Sequence, residues 1–131
     1  MSSIHGSILL ADDEEKILKR LGRALRDEGH EVVETSSARA AQKQLVDKSF
    51  DLLVVDNIMP GMTGPALQQE LSRRGKAIPI VFVTALADEH LRPQMLAAGA
   101  FDCLVKPVSE TVLLDAISAA LRPRGVADTK V

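Results

Sequence analysis

Three short apolar runs constrain this chain more than any other feature: Ser7 to Ala11, Asp51 to Val55 and Ile80 to Thr84. Each is of strand length, and polar residues occur only at its ends. A strand that alternates polar and apolar residues can leave one face in water; a strand apolar throughout needs cover on both faces. The stretches between them repeat apolar residues at helical spacing. Strands alternating with helices call for an α/β domain with a parallel sheet. Two weaker strand texts, His30 to Thr35 and Phe101 to Val105, are interrupted by charge and suit the sheet edges. The spatial order 2-1-3-4-5 satisfies that ranking of burial. It is the order of a flavodoxin-like, doubly wound (βα)5 fold with a five-stranded parallel sheet.

The helices carry their own punctuation. Ile17, Leu18, Leu21, Ala24 and Leu25 form the first stripe, stopped by Gly29. Ser36 or Ser37 caps a second helix with Ala38, Ala41, Leu45 and Val46 inward. Gly64 and Pro65 open a third, with Ala66, Leu67 and Leu71 inward. The fourth lies between Asp88 and Ala98 and ends at Gly99. A proline inside a helix costs about 3 kcal/mol or more, so Pro93 places its first turn near His90 to Arg92. Ser109 caps the fifth, whose stripe is Val112, Leu113, Ala116, Ile117, Ala120 and Leu121. One folded domain is expected over residues 1–122, with 123–131 a tail or the start of a linker.

A net charge of −2 gives no reason to expect direct contact with nucleic acid or a membrane. The single cysteine, Cys103, excludes an internal disulfide and a cysteine-built metal site. No run approaches the ~20 apolar residues that span a bilayer. The first residues carry neither a basic region nor an apolar signal core, so a cytoplasmic location is expected.

Open parallel sheets gather their working residues at the carboxyl ends of the strands. Those ends carry Asp12 and Asp13 after the first strand and Asp56 after the third. Thr84 ends the fourth, and Lys106 follows the fifth. Each has a plain structural reading: a helix-start charge, a turn former before Pro60-Gly61, a structural hydroxyl, a solvated ammonium. For Glu14 and Glu15 the favourable placement of acids at a helix start is explanation enough. The five others fall at strand ends that one fold brings together. Three crowded acids repel and need a cation, and hard oxygen ligands suit Mg²⁺. A carboxylate can attack phosphorus to give an aspartyl phosphate while an ammonium and a hydroxyl take up charge on the phosphoryl oxygens.

From about Ser7 to Leu121 the chain resembles the receiver domain of two-component response regulators. The resemblance is carried by Asp12-Asp13, by Asp56-Asn-Ile-Met-Pro-Gly-Met-Thr-Gly64, by Thr84-Ala85, by Ala97-Ala-Gly-Ala100 and by Lys106-Pro107. It implies a regulatory phosphoacceptor that is not a metabolic enzyme. Asp56 would be phosphorylated from a sensor histidine kinase or a histidine phosphotransfer protein. Asp13 and Asp56 would bind Mg²⁺ directly, Asp12 through water, and Ile58 through its backbone carbonyl. Thr84 and Lys106 would contact the phosphoryl group, and the Lys106-Pro107 peptide would be cis. The face made by the fourth helix, fifth strand and fifth helix would meet an output domain, a partner or a second copy.

Three positions depart from the family's pattern. Cys103 stands where an aromatic switch residue is common, and Phe101 lies two residues earlier, expected to point the same way. Val108 replaces the aromatic that follows Lys-Pro, and Pro93 intrudes on the fourth helix. Ile58 and Leu86, apolar where the family tunes attack of water on the acyl phosphate, imply slow self-dephosphorylation. The alternative reading is a receiver-like interaction module that works without phosphorylation. A haloacid-dehalogenase-like phosphatase would want an acid at Ile58, and a nucleotide binder would want glycines where Asp12 and Asp13 stand.

Overall fold

A computed structural model of the chain describes residues 5–56, 58–59, 62–75, 78–85 and 90–122. Five strands and five helices alternate: β1 Ser7–Ala11, α1 Glu15–Asp27, β2 Glu31–Thr35, α2 Ala38–Asp47, β3 Leu52–Asp56, α3 Gly64–Arg73, β4 Ile80–Thr84, α4 Leu91–Ala97, β5 Asp102–Val105 and α5 Glu110–Leu121. The sheet is parallel with order β2-β1-β3-β4-β5, as its apolar text requires. Ile8 aligns with Leu52, Leu53 with Ile80 and Thr84 with Val105. A two-stranded antiparallel ribbon, Ile58–Met59 with Met62–Thr63, follows β3 where only a turn was expected.

The continuous strands are apolar because both of their faces are covered. Leu9, Leu53, Val55, Phe82 and Cys103 pack with Ala41, Leu45, Leu67, Leu71 and Met95 of α2, α3 and α4. Ile8, Leu10, Leu52, Val54, Val81 and Val83 pack with Leu18, Leu21, Leu25, Leu113 and Ile117 of α1 and α5. Alternate residues of a strand point to opposite faces, so one strand feeds both layers. Burying each such Leu or Phe is worth about 1.5–3 kcal/mol, so the three inner strands form the stiff platform for what sits at their ends.

Local signals explain the helix bounds. Ser37 accepts from the Ala40 N–H at 3.1 Å, and Ser109 from the Val112 N–H at 3.1 Å, each satisfying one orphan donor of a helix start. Gly29 ends α1 at φ +96°, a conformation that a Cβ disfavours. Pro93 is the third residue of α4, inside the first turn, where its missing N–H breaks no helical bond. The helix thus begins at the late position that its proline demands.

Three side chains differ from expectation. Val46 and Val112 are 60% and 49% exposed, at the margins of stripes narrower than the helical spacing suggested. Phe101 precedes β5 instead of joining it, so the strand alternation that would have aimed it with Cys103 does not reach it. Cys103 is buried, whereas Phe101 is 39% exposed. Residues 123–131 lie outside the described part of the chain. Among the described residues, no helix is long and apolar enough to cross a membrane.

Candidate functional site

Asp56 is the last residue of β3, aligned with Val83 of β4, and is buried. A charge at the final strand position is tolerable only with a partner beside it. The partner is Lys106, whose ammonium lies 3.2 Å from Asp56 Oδ2. Lys106 follows the edge strand β5 directly, and its backbone N–H donates to the Thr84 carbonyl at 2.7 Å. That bond prolongs the β4–β5 ladder by one step and fixes where the lysine leaves the sheet. The Lys106-Pro107 peptide is cis, as the resemblance implied. Val108, just beyond, is buried against the α1 and α5 layer. Arg20 of α1 donates to the Val108 carbonyl at 3.3 Å and ties that helix to the lysine's loop.

Asp12 continues β1 by one residue, its N–H donating to the Thr35 carbonyl at 3.1 Å. Its Oδ1 accepts from the Glu14 N–H at 2.8 Å, and its Oδ2 lies 3.0 Å from Lys106 Nζ. Asp12 is buried, while Asp13 beside it is exposed. Carboxylate oxygens of Asp12, Asp13 and Asp56 all lie within 4.8 Å of one another. Thr84, at the end of β4, is buried at the same rim. All five residues nominated from the sequence therefore lie at one end of the sheet, and close contacts join the side chains of Asp12, Asp13, Asp56 and Lys106. Ile58 begins the ribbon two residues beyond Asp56. Leu86 lies outside the described residues.

The sequence reading missed one member. Glu14 Oε1 lies 3.0 Å from Lys106 Nζ, a contact that its place at a helix start does not announce. It is the N-cap residue of α1 but makes no side-chain cap bond. No local signal would have found this pairing, because the two residues are 92 positions apart. Burial alone would lower the Lys106 pKa; hydrogen bonds to Glu14, Asp12 and Asp56 outweigh it and hold the ammonium well above the ordinary lysine value.

Three carboxylates thus contact one ammonium, and the Asp13 carboxylate lies beside two of them. The surplus of negative charge and the closeness of three hard oxygen donors fit a divalent cation of the Mg²⁺ type. The same packing of acids offers nothing to a soft metal. It also disfavours a free anion, which needs the cation first.

The sequence matches the profile described as the response regulator receiver domain over residues 8–118. It is 34% identical over 126 residues to the phosphate regulon transcriptional regulatory protein PhoB of Pseudomonas aeruginosa, covering 95% of this chain and 55% of that protein. It is 34% identical over 122 residues to the response regulator protein TodT of Pseudomonas putida, covering 93% of this chain and 54% of the relative. The chain therefore spans about half the length of these curated relatives. Among solved structures, the chemotaxis response regulator CheY4 of Vibrio cholerae superposes with a TM-score of 0.81 at 26% identity, covering 88% of this chain and 98% of that one. A response regulator receiver domain protein of Clostridium thermocellum gives 0.80 at 28% identity, covering 88% and 93%.

Proposed function

The chain belongs to the response regulator receiver family, and from that membership we propose that it takes a phosphoryl group onto Asp56 from a histidine kinase or histidine phosphotransfer protein. The observation that carries this reading is the closeness of the Asp12, Asp13 and Asp56 carboxylates, two of which contact the Lys106 ammonium. Family membership makes the protein regulatory, not metabolic. The chemistry it performs is then confined to its own aspartyl phosphate.

In this proposal an Asp56 carboxylate oxygen attacks phosphorus in line with the leaving imidazole nitrogen. The P–N bond breaks, the imidazole keeps the electron pair, and an acyl phosphate forms. Asp13 and Asp56 would hold Mg²⁺ directly, with Asp12 through water and the Ile58 carbonyl as a further ligand. A bound Mg²⁺ would neutralise carboxylate charge and polarise the phosphoryl group. Lys106 would pair with one phosphoryl oxygen, and the Thr84 hydroxyl would donate to another. Thr84 ends β4 and Lys106 follows β5, so the added charge, about −1.5 to −2, would pull on neighbouring strands at once.

Output would pass through the α4–β5–α5 face. Phe101, Val105 and Val112 are 39%, 46% and 49% exposed on or beside those elements, a set of apolar side chains that solvent does not favour. The occupant of that face would be an output domain, a separate partner or a second copy of the chain. The relative PhoB is named a transcriptional regulatory protein; for the residues described here we propose no direct nucleic-acid contact. A cytoplasmic location accompanies the proposal, since the phosphodonor is an intracellular histidine.

The test is incubation with Mg²⁺ and acetyl phosphate followed by intact-mass measurement. One phosphoryl adduct is expected on the wild type and none on Asp56→Ala. Equal labelling of both proteins, or of neither, defeats the reading.

A further inference from the structure

An ammonium has three N–H donors, and Lys106 is in contact with three carboxylates: Asp12 at 3.0 Å, Glu14 at 3.0 Å and Asp56 at 3.2 Å. Asp12 and Asp56 are buried, and the burial of the site explains their contact. Glu14 is different. Its side chain is 58% exposed, and water would solvate it fully at no cost in order. It does not cap α1, as residues in its position commonly do, and it is not one of the three acids that cluster closely enough to hold a cation. Its backbone N–H donates to Asp12 Oδ1, so the residue is tied to another partner of the same lysine. An exposed acid held on the lysine that would meet the phosphoryl group is a competitor for that lysine.

We propose that Glu14 is an internal counter-ion that occupies one donor of Lys106 in the resting protein and must be displaced when a phosphoryl group arrives. This rests on the phosphoacceptor reading above and adds a regulatory element to it. A phosphoryl group on Asp56 can inherit the donor that Asp56 already uses. To gain a second, it must take the one held by Glu14, or the one held by Asp12. Glu14 also adds negative charge beside an incoming anion. Both effects work in one direction: the resting site resists anions and loads only when the gain from the phosphoryl group exceeds the loss of the Glu14 contact. Glu14 is a positioning residue, because it acts through Lys106 and touches neither reactant.

The test titrates beryllofluoride, a phosphoryl mimic, into the whole chain at saturating Mg²⁺ and follows backbone amide shifts. Wild type, Glu14→Gln and Glu14→Asp are compared, and the Mg²⁺ half-saturation point is measured separately for each. Glu14→Gln is expected to lower the half-saturating beryllofluoride concentration by about three- to fivefold, the scale on which an exposed ion pair competes. Its Mg²⁺ half-saturation should stay the same or rise. Glu14→Asp keeps the charge but shortens the arm by one methylene, so it should lose the contact and fall between wild type and Glu14→Gln. A merely structural role for Glu14 would move the melting temperature and leave the anion affinity alone. The proposal is overturned if Glu14→Gln binds beryllofluoride no better than wild type, or if Glu14→Asp is indistinguishable from wild type. Failure of the wild type itself to bind beryllofluoride would remove the phosphoacceptor reading and this inference with it.

Discussion

Lys106→Met tests the electrostatics of the rim most directly. Methionine keeps much of the length and apolar stem of lysine while deleting its charge. The lysine side chain is 10% exposed, and those of its partners Asp12 and Asp56 are 3% and 8% exposed. Removing one member of a buried pair strands the other, at a cost of roughly 3–5 kcal/mol. Here the site opens to solvent on the side of exposed Asp13, and Glu14 can simply turn outward, so about 2–4 kcal/mol is the better figure. For a domain of this length that corresponds to a fall in Tm on the order of 10 °C. Thermal and urea unfolding in the presence of EDTA would measure it. Adding Mg²⁺ should then return much of the loss, since a ligand at 100 times its Kd stabilises by about 2.7 kcal/mol. The variant should gain more from Mg²⁺ than the wild type, because in the wild type a bound metal would have to share Asp12 and Asp56 with the ammonium. A variant as stable as wild type without metal, or one that gains no more from Mg²⁺, would show that Lys106 is not the counter-charge of this rim.

Further expectations concern positions outside the ammonium's reach. His30 is buried and accepts from the Gly6 N–H at Nδ1, 3.1 Å away; burial, with His5 adding to it, holds its pKa below the ordinary 6.5. Its neutral form is the folded one, so its contribution to stability is complete above pH 6.5 and is lost as pH falls through the folded pKa. Urea midpoints between about pH 7.5 and about pH 5.5 should therefore fall more in wild type than in His30→Asn; parallel curves would refute it. Ser109→Ala should cost about 1 kcal/mol by removing the cap of α5. Gly29→Ala should cost about 1–2 kcal/mol, since alanine must adopt φ +96° against the His5 ring; a denaturant series that ranks either variant with wild type contradicts the stated role. Ile58→Asn, alone or with Leu86→Glu, should shorten the lifetime of the phosphorylated form, followed by mass after donor removal; an unchanged or longer lifetime would exclude these side chains as the brake.

The fold was readable because its strongest constraint is compositional. Ile8 to Ala11, Leu52 to Val55 and Ile80 to Val83 have no polar residue to offer water, and only the centre of a sheet covered on both faces accepts that. The site was readable for the same reason: once the strand order is fixed, residues at strand ends are neighbours whatever their distance in the chain. What escaped depends on details that periodicity does not encode. Val46 and Val112 sit at stripe margins, where exposure is decided by how closely a neighbouring element approaches. Phe101 was misdirected by a single residue of strand length. Glu14 was assigned its local role because helix-start acids are explained by the dipole alone, and nothing near it in the chain announces the lysine. The short ribbon after β3 hides inside a stretch whose Pro60 and Gly61 read as a turn.

The register of β4 with β5 has a mechanical consequence. Thr84 lies opposite Val105, and Val105 belongs to the edge strand and is 46% exposed. Adjacent strands are about 4.8 Å apart, so the innermost hydroxyl of the rim is one strand width from the solvent. A disturbance at Thr84 needs no long lever to be felt outside. It has only to tilt or shift its neighbour, and the small, buried Cys103 lines the same strand without a bulky ring to be turned first. At the opposite end of β5 Arg92 holds Asp102 at 2.9 Å, so the end of the strand beside Thr84 is the one left to move.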